Sequence, residues 1–216
     1  SGNIQIAESD ALGVVRLATT LGAIDLATSN GTLTVLGTGS GVSTTGTGTV
    51  SLDANGASAD LAVNALVSSA SGQITLAADR EVTFATGTMV QSSSGALSVT
   101  ADADNSAAGT GGAITMVDGT VLNAGSGTIA LTGDGVALGQ VVTTNATSSA
   151  VSINANAGAV SDVNLAALNV DAAAGRLSIT NATGVGSLNA LETTLNELDV
   201  NSASGNIQIA ESDALG

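Results

Sequence analysis

Gly22-Ala23-Ile24-Asp25-Leu26, followed by Ala27 and Thr28, is the segment on which the fold turns. Ile24 and Leu26 are separated by one polar residue, so a period of two sends both aliphatic side chains to one face and Asp25 to the other. Five residues with this alternation make a half-buried strand, too short for an amphipathic helix. The pattern returns along the chain as Gly48-Thr49-Val50-Ser51-Leu52, Gly72-Gln73-Ile74-Thr75-Leu76 and Gly95-Ala96-Leu97-Ser98-Val99. It continues as Gly127-Thr128-Ile129-Ala130-Leu131 and Gly175-Arg176-Leu177-Ser178-Ile179. Two variants lack the glycine, Ser149-Ala150-Val151-Ser152-Ile153 and Asn196-Glu197-Leu198-Asp199-Val200.

Successive motifs stand 21 to 32 residues apart. Two positions past the second apolar residue comes a small side chain every time: Thr28, Ala54, Ala78, Ala101, Gly133, Ala155, Asn181 and Ser202. A column of small residues at one fixed point is what identical, stacked corners require. Val82-x-Phe84, Val136-x-Leu138, Val163-x-Leu165 and Leu168-x-Val170 are expected to supply other sides of each coil. The Gly-Ser-Asn stretches between them read as turns. Matches beginning at Gly2, Gly31 and Gly112 are assigned to those other sides. Residues 61–70 and 188–198 have helical propensity, but the second run ends in the Leu198-x-Val200 strand pattern, so at most one brief helical turn is expected there. The predicted fold is all-β: a parallel β-helix, or β-solenoid, of about eight coils of roughly 25 residues each.

A second repeat encloses the first. SGNIQIAESDALG occupies residues 1–13 and, unchanged, residues 204–216, an offset of 203 residues. The chain is therefore read as one full tandem unit, residues 1–203, forming a single solenoid domain, with residues 204–216 beginning the next copy. With roughly 4.8 Å between stacked strands, eight coils advance about 38 Å, and Ile4 and Ile207 are expected that far apart along one axis.

Composition narrows the function. The chain has no Cys, Pro, His, Trp or Tyr, and Phe84 is its only aromatic residue. A globular enzyme or an immunoglobulin-like sandwich fills its core with rings; Ala, Val, Leu and Ile among 28 glycines suit a thin stack of aliphatic layers. Three arginines stand against 18 acidic residues, a net charge of −15. Such a field repels phosphate, which argues against nucleic-acid partners and anionic membrane surfaces. No apolar run approaches the ~20 residues of a membrane-spanning helix, so membrane insertion is not expected.

The recurring coils GNIQIA, GAIDLA, GQITLA and GTIALT, set in Ala-, Thr- and Gly-rich filling, resemble the repeat regions of filamentous-haemagglutinin-type proteins and other giant bacterial surface adhesins. The resemblance covers essentially the whole chain. It implies a right-handed parallel β-helix in a long secreted filament that attaches cells to other cells or surfaces. The partners so implied are adjacent copies of the same repeat and surface ligands on host or neighbouring cells. One feature departs from it: repeats of that kind usually diverge, whereas the two thirteen-residue copies here are identical.

Without His, Cys or Lys there is no Ser-His or Cys-His pair, no lysine Schiff base and no imidazole or thiolate zinc site. Paired carboxylates of the glycosidase kind remain, but sugar sites usually add aromatic platforms, and only Phe84 is available. The chain is read as non-enzymatic, with a carbohydrate-active β-helix as the remote alternative. Calcium takes carboxylate and carbonyl oxygens, and Asp102, Asp104 and Asn105 lie in the longest interval, where a loop is expected to protrude. Those three residues are the candidate metal ligands, although the glycine and distal glutamate of an EF-hand are missing. An array for ice binding needs a threonine lattice. The outward positions of the main strand (Asp25, Ser51, Thr75, Ser98, Ala130, Ser152, Ser178 and Asp199) contain one threonine, so they read as a solvated sheet face. The functional expectation is a structural repeat module of a secreted or cell-surface bacterial adhesin.

Overall fold

The computed structural model describes residues 2–105, 111–156 and 158–215. Among them every regular element is a β-strand, and every strand pairing is parallel. The chain winds through about eight turns of about 23 residues as a β-solenoid. The turns stack their strands in three columns, the second of which continues past Val160–Asp162 only as isolated bridges at Val185 and Ile207.

The first column carries the Gly-x-apolar-x-apolar motif. Ile4–Glu8, Ile24–Thr28, Val50–Ala54, Ile74–Ala78, Leu97–Thr100, Ile129–Gly133 and Val151–Ala155 stack in that order. Ile24, Val50, Ile74, Leu97, Ile129, Val151 and Leu177 register one above another, and Leu26, Leu52, Leu76, Val99, Leu131, Ile153 and Ile179 form a second inward row. All fourteen are buried. A Leu or Ile so enclosed contributes about 1.5–3 kcal/mol over an exposed one, and the solenoid repeats that gain at every turn. The second column stacks Leu12–Val14, Leu33–Val35, Leu61–Val63, Val82–Phe84, Ala113–Thr115, Gly135–Leu138 and Val160–Asp162. Phe84 lies there, 2 % exposed. The third column runs through Arg16–Thr19, Gly41–Thr44, Val67–Ser69, Met89–Ser92, Val121–Asn123 and Gln140–Val142, its inward row being Leu17, Val42, Val67, Val90, Leu122, Val141 and Val170.

Two long strands, Val170–Ala182 and Leu191–Ser202, round the corner from third to first column without a break. The second occupies the run with helical propensity. Leu191 and Leu195 are needed in the third column, where both are fully buried, while Leu188 is fully exposed. Stacking on the turn below overrides the local preference, and residues 61–70 likewise form strands Leu61–Val63 and Val67–Ser69.

Three further expectations are corrected. The Val163-x-Leu165 pair does not form a side: the strand is Val160–Asp162, and Leu165 has φ +62° and is 75 % exposed. Leu168 precedes the third-column strand, which begins at Val170. At the small-residue corner a register shift follows Ile179, Asn181 takes φ +62°, and Ala182 fills the inward place opposite Ser202. The matches at Gly31 and Gly112 do open second-column strands.

The thirteen-residue duplicates diverge in position. In the first copy Ile4 and Ile6 pair with Ile24 and Leu26 in the first column, contrary to the assignment of Gly2 to another side. In the second copy Ile207 bridges Val185 in the second column, and Ile209–Glu211 pairs with Leu191–Thr193 in the third. Ile4 and Ile207 are therefore not on one axis. Ile207 follows Leu198 by too few residues to complete another turn, so the chain meets the next column instead.

Candidate functional site: the outward face and the acidic corner

Two surfaces present regularly spaced polar groups. The first is the outward face of the first column. Gln5, Asp25, Ser51, Thr75, Ser98, Ala130, Ser152, Ser178 and Asp199 align in one row, as the alternation requires. Every position read from the sequence falls in it, and Gln5 extends it by one turn. The row is mostly hydroxylated in its middle, with Asp25 and Asp199 towards its ends.

The second surface is the corner between the first and second columns, directly after the small inward residue. The backbone there climbs by one hydrogen bond per turn: Asn55 N–H to Thr28 O, Asp79 N–H to Ala54 O, Ala103 N–H to Ala78 O and Asp134 N–H to Gly112 O, at 2.7–3.0 Å. Short polar residues suit such a turn because their side chains satisfy neighbouring backbone groups. Asn55 Nδ2 donates to Thr28 O at 3.1 Å, and Asp79 Oδ2 accepts from Gly56 N–H at 2.6 Å. Arg80 Nε donates to Asp60 Oδ1 at 2.7 Å, its second nitrogen reaches Asp60 Oδ2, and Glu81 N–H joins the same carboxylate at 3.2 Å. The hydrogen bond to Asp60, and then that carboxylate's charge, hold the Arg80 guanidinium above the usual arginine range, so it stays cationic. Asp60, Asp79, Glu81, Asp102, Asp104 and Asp134 share this corner with that single arginine.

The sequence-predicted ligands sit on this ridge. Asp102 and Asn105 have φ +56° and +51°, and Asn105 N–H donates to Asp102 O at 3.0 Å, which makes a tight turn. Asp102 is half-buried; Asp104 and Asn105 are exposed. The segment from Asp102 leaves between the first and second columns; the protruding loop expected in this interval falls largely on residues 106–110, outside the described residues. The β-carbon of Asp102 and the carboxylate of Asp134, a residue 8 % exposed, fill the space that a β-carbon on Gly112 would need; Gly112, at φ +88°, leaves that space open. Among the described residues no three His, Cys, Asp or Glu side chains are grouped closely enough to hold a metal ion.

The corner between the third and first columns was missed from sequence. A shallow groove of about 570 Å³ runs along it, lined by Thr44, Ser69, Gln91, Ser92 and Asn123 among others. Its floor is a hydroxyl ladder. Ser69 Oγ donates to Gly48 O and accepts from Gly72 N–H, both at 2.8 Å; Ser92 Oγ repeats this with Gly72 O and Gly95 N–H at 3.1 and 2.9 Å. Thr19 and Thr143 bond Gly22 O and Gly127 O at 2.6 Å. For Thr19, Ser69 and Ser92 the signal was available: a hydroxyl residue three positions before the motif glycine.

Compared with protein-family models, curated proteins and solved structures, the chain has no match.

Proposed function

We propose that this chain is a structural repeat module of a giant secreted bacterial adhesin, acting at the cell surface as a stalk or contact surface. The observation that carries the reading is the thirteen-residue duplication on a fold that lengthens by adding turns. The interior is used for stacking, and what remains for partners is a regular polar exterior with a strongly negative charge, which suits extended, soluble display. Neighbouring copies of the unit would be its first partners, with ligands on host or adjacent cells beyond them. The flanking sequence tests this: further 203-residue copies and an export signal are expected, and unrelated catalytic domains on both sides would contradict it. Beads coated with the chain should also bind cells more strongly than uncoated beads.

A calcium-stiffened form of the same module, with Asp102, Asp104 and Asn105 as ligands, is the second reading, favoured by the Asp134 carboxylate lying with the Asp102 β-carbon at Gly112. Thermal melts in calcium and in chelator separate the two. The plain stalk gives superimposable curves, whereas a calcium-dependent rise that Asp102→Asn removes would establish the metal-bound form.

A further inference from the structure

Two Asn-Gly pairs lie in successive turns at the corner between the first and second columns. Asn30-Gly31 follows strand Ile24–Thr28, and Asn55-Gly56 follows strand Val50–Ala54. No other asparagine in the chain precedes a glycine. A β-carbon on Gly56 would stand 3.1 Å from the Asn30 α-carbon, so the second pair rests on the first. An asparagine in this setting is open to attack by the main-chain nitrogen that follows it, because glycine has no β-carbon to hinder the approach. The two pairs share that chemistry, but the fold treats them differently.

Asn55-Gly56 is tied down on both sides of the bond. Asn55 N–H and Nδ2 donate to Thr28 O at 3.0 and 3.1 Å, which fixes the side chain onto the turn below. Gly56 N–H donates to Asp79 Oδ2 at 2.6 Å, and Gly56 O accepts from Ala59 N–H at 2.7 Å. A nitrogen that faces a carboxylate resists losing its proton, because the anion formed would meet a like charge. Asn30-Gly31 has none of these ties. Asn30 is exposed, and neither its side-chain amide nor the Gly31 N–H has a hydrogen-bond partner among the described residues. Glycine is nonetheless fixed at this place, since a β-carbon on Gly31 would overlap the backbone nitrogen of Ala11. Packing on the turn below therefore demands the very residue that leaves Asn30 open to attack.

We propose that Asn30 is a site of spontaneous self-modification, converting to aspartate and isoaspartate in the folded protein, and that Asp79 holds Asn55 out of the same reaction. The Gly31 nitrogen gives its proton to solvent and bonds to Asn30 Cγ; the Cγ–Nδ2 bond breaks, and ammonia leaves with a proton taken from solvent. Water then opens the five-membered imide. Attack at Cγ breaks its bond to nitrogen and leaves aspartate; attack at the main-chain carbonyl breaks that bond and leaves isoaspartate. The net change is gain of water and loss of ammonia. Either product sets a new carboxylate on the acidic corner, next to Asp10, and isoaspartate also lengthens the main chain by one atom beneath Gly56. The inference rests on the two corners and stands apart from the adhesin reading.

Peptide mapping by mass spectrometry tests it on the full chain, held in neutral buffer and sampled over time beside the same chain held in denaturant. In the folded protein Asn30 should convert at least about tenfold faster than Asn55, whereas in denaturant the two should convert at similar rates. Asp79→Ala should speed conversion of Asn55 by at least about tenfold and leave the rate at Asn30 unchanged. Ala103 holds the equivalent corner position one turn on, so the substitution suits the fold, and circular dichroism checks that it does. Equal rates at the two sites in the folded chain would overturn the proposal. So would a preference for Asn30 that persists unchanged in denaturant, because the local sequence and not the fold would then set it. A folded Asp79→Ala variant whose Asn55 is no faster would refute the role of Asp79. Should that variant lose its β-sheet signal, the protection of Asn55 in folded wild type relative to denatured wild type decides: protection confined to Asn55 supports the proposal, and equal protection of both sites refutes it.

Discussion

A single methyl group decides whether a turn can close onto the one below. Gly22, Gly48, Gly72, Gly95 and Gly127 stack so tightly that a β-carbon on any of them would overlap the carbonyl oxygen of the glycine one turn earlier. Gly2 stands at the first position of the same column, and a β-carbon there would meet nothing within 4 Å. Gly72→Ala should therefore cost about 1–3 kcal/mol in chemical denaturation, while Gly2→Ala stays within about 0.5 kcal/mol of wild type. Equal effects would show that backbone freedom, rather than stacking clearance, selects glycine. At this scale the sequence was legible, because glycine, two alternating aliphatics and a small corner residue each answer to one local constraint. Asn169 was not. It is fully buried, its side-chain amide nitrogen stands 2.8–3.1 Å from Leu138 O, Gly139 O, Asp162 Oδ1 and Asn164 Oδ1, and its oxygen accepts from Glu192 N–H. Those partners come from three successive turns, so no spacing along the chain announces them.

Among elements, the hydroxyl ladder shows how one inserted residue changes an interaction. Ser69 and Ser92 stand three positions before Gly72 and Gly95 and bond them, whereas Thr44 stands four before Gly48, and its buried hydroxyl has no partner. Ser92→Ala should lose about 1 kcal/mol, and Thr44→Ala should be neutral or slightly stabilising, because it removes an unsatisfied buried oxygen. Denaturation midpoints for the two variants check the pair, and a larger loss at Thr44 would contradict the ladder. Strand identity also lies beyond local propensity in places. The leucine spacing of residues 188–198 suits a helix, yet the third column of the turn below claims Leu191 and Leu195. The thirteen-residue duplicates make the same point without any difference in sequence: identical residues enter the first column at one end and the second and third at the other. What each segment becomes depends on which column the preceding turn has left open. The acidic corner was only half legible for that reason. Asp102, Asp104 and Asn105 fall between strands, in a turn, but the Asp134 carboxylate reaches the Asp102 β-carbon only because the next turn returns over Gly112.

The whole molecule follows from one inequality: a turn cannot bury its own apolar face, whereas a stack buries all but the outermost two. That explains the scarcity of aromatic residues, the small corner residues and the tolerance for a turn that carries the loop around Asp102 without disturbing its neighbours. It also leaves function on the exterior, where the row from Gln5 to Asp199, the acidic corner and the hydroxyl-lined groove are the surfaces available. The rise between turns is set by backbone hydrogen bonding, about 4.8 Å each, and not by the number of residues in a turn.

Spin labels on the outward row read that rise directly. With one label at Asp25 and the other moved through Ser51, Thr75, Ser98, Ala130, Ser152, Ser178 and Asp199, dipolar spectroscopy should give separations that grow by about 4.8 Å per turn, to about 34 Å at Asp199. The step from Ser98 to Ala130 should equal that from Ala130 to Ser152 despite the longer intervening chain. Separations that follow residue number, or that fall and rise as in antiparallel strands, would contradict parallel stacking.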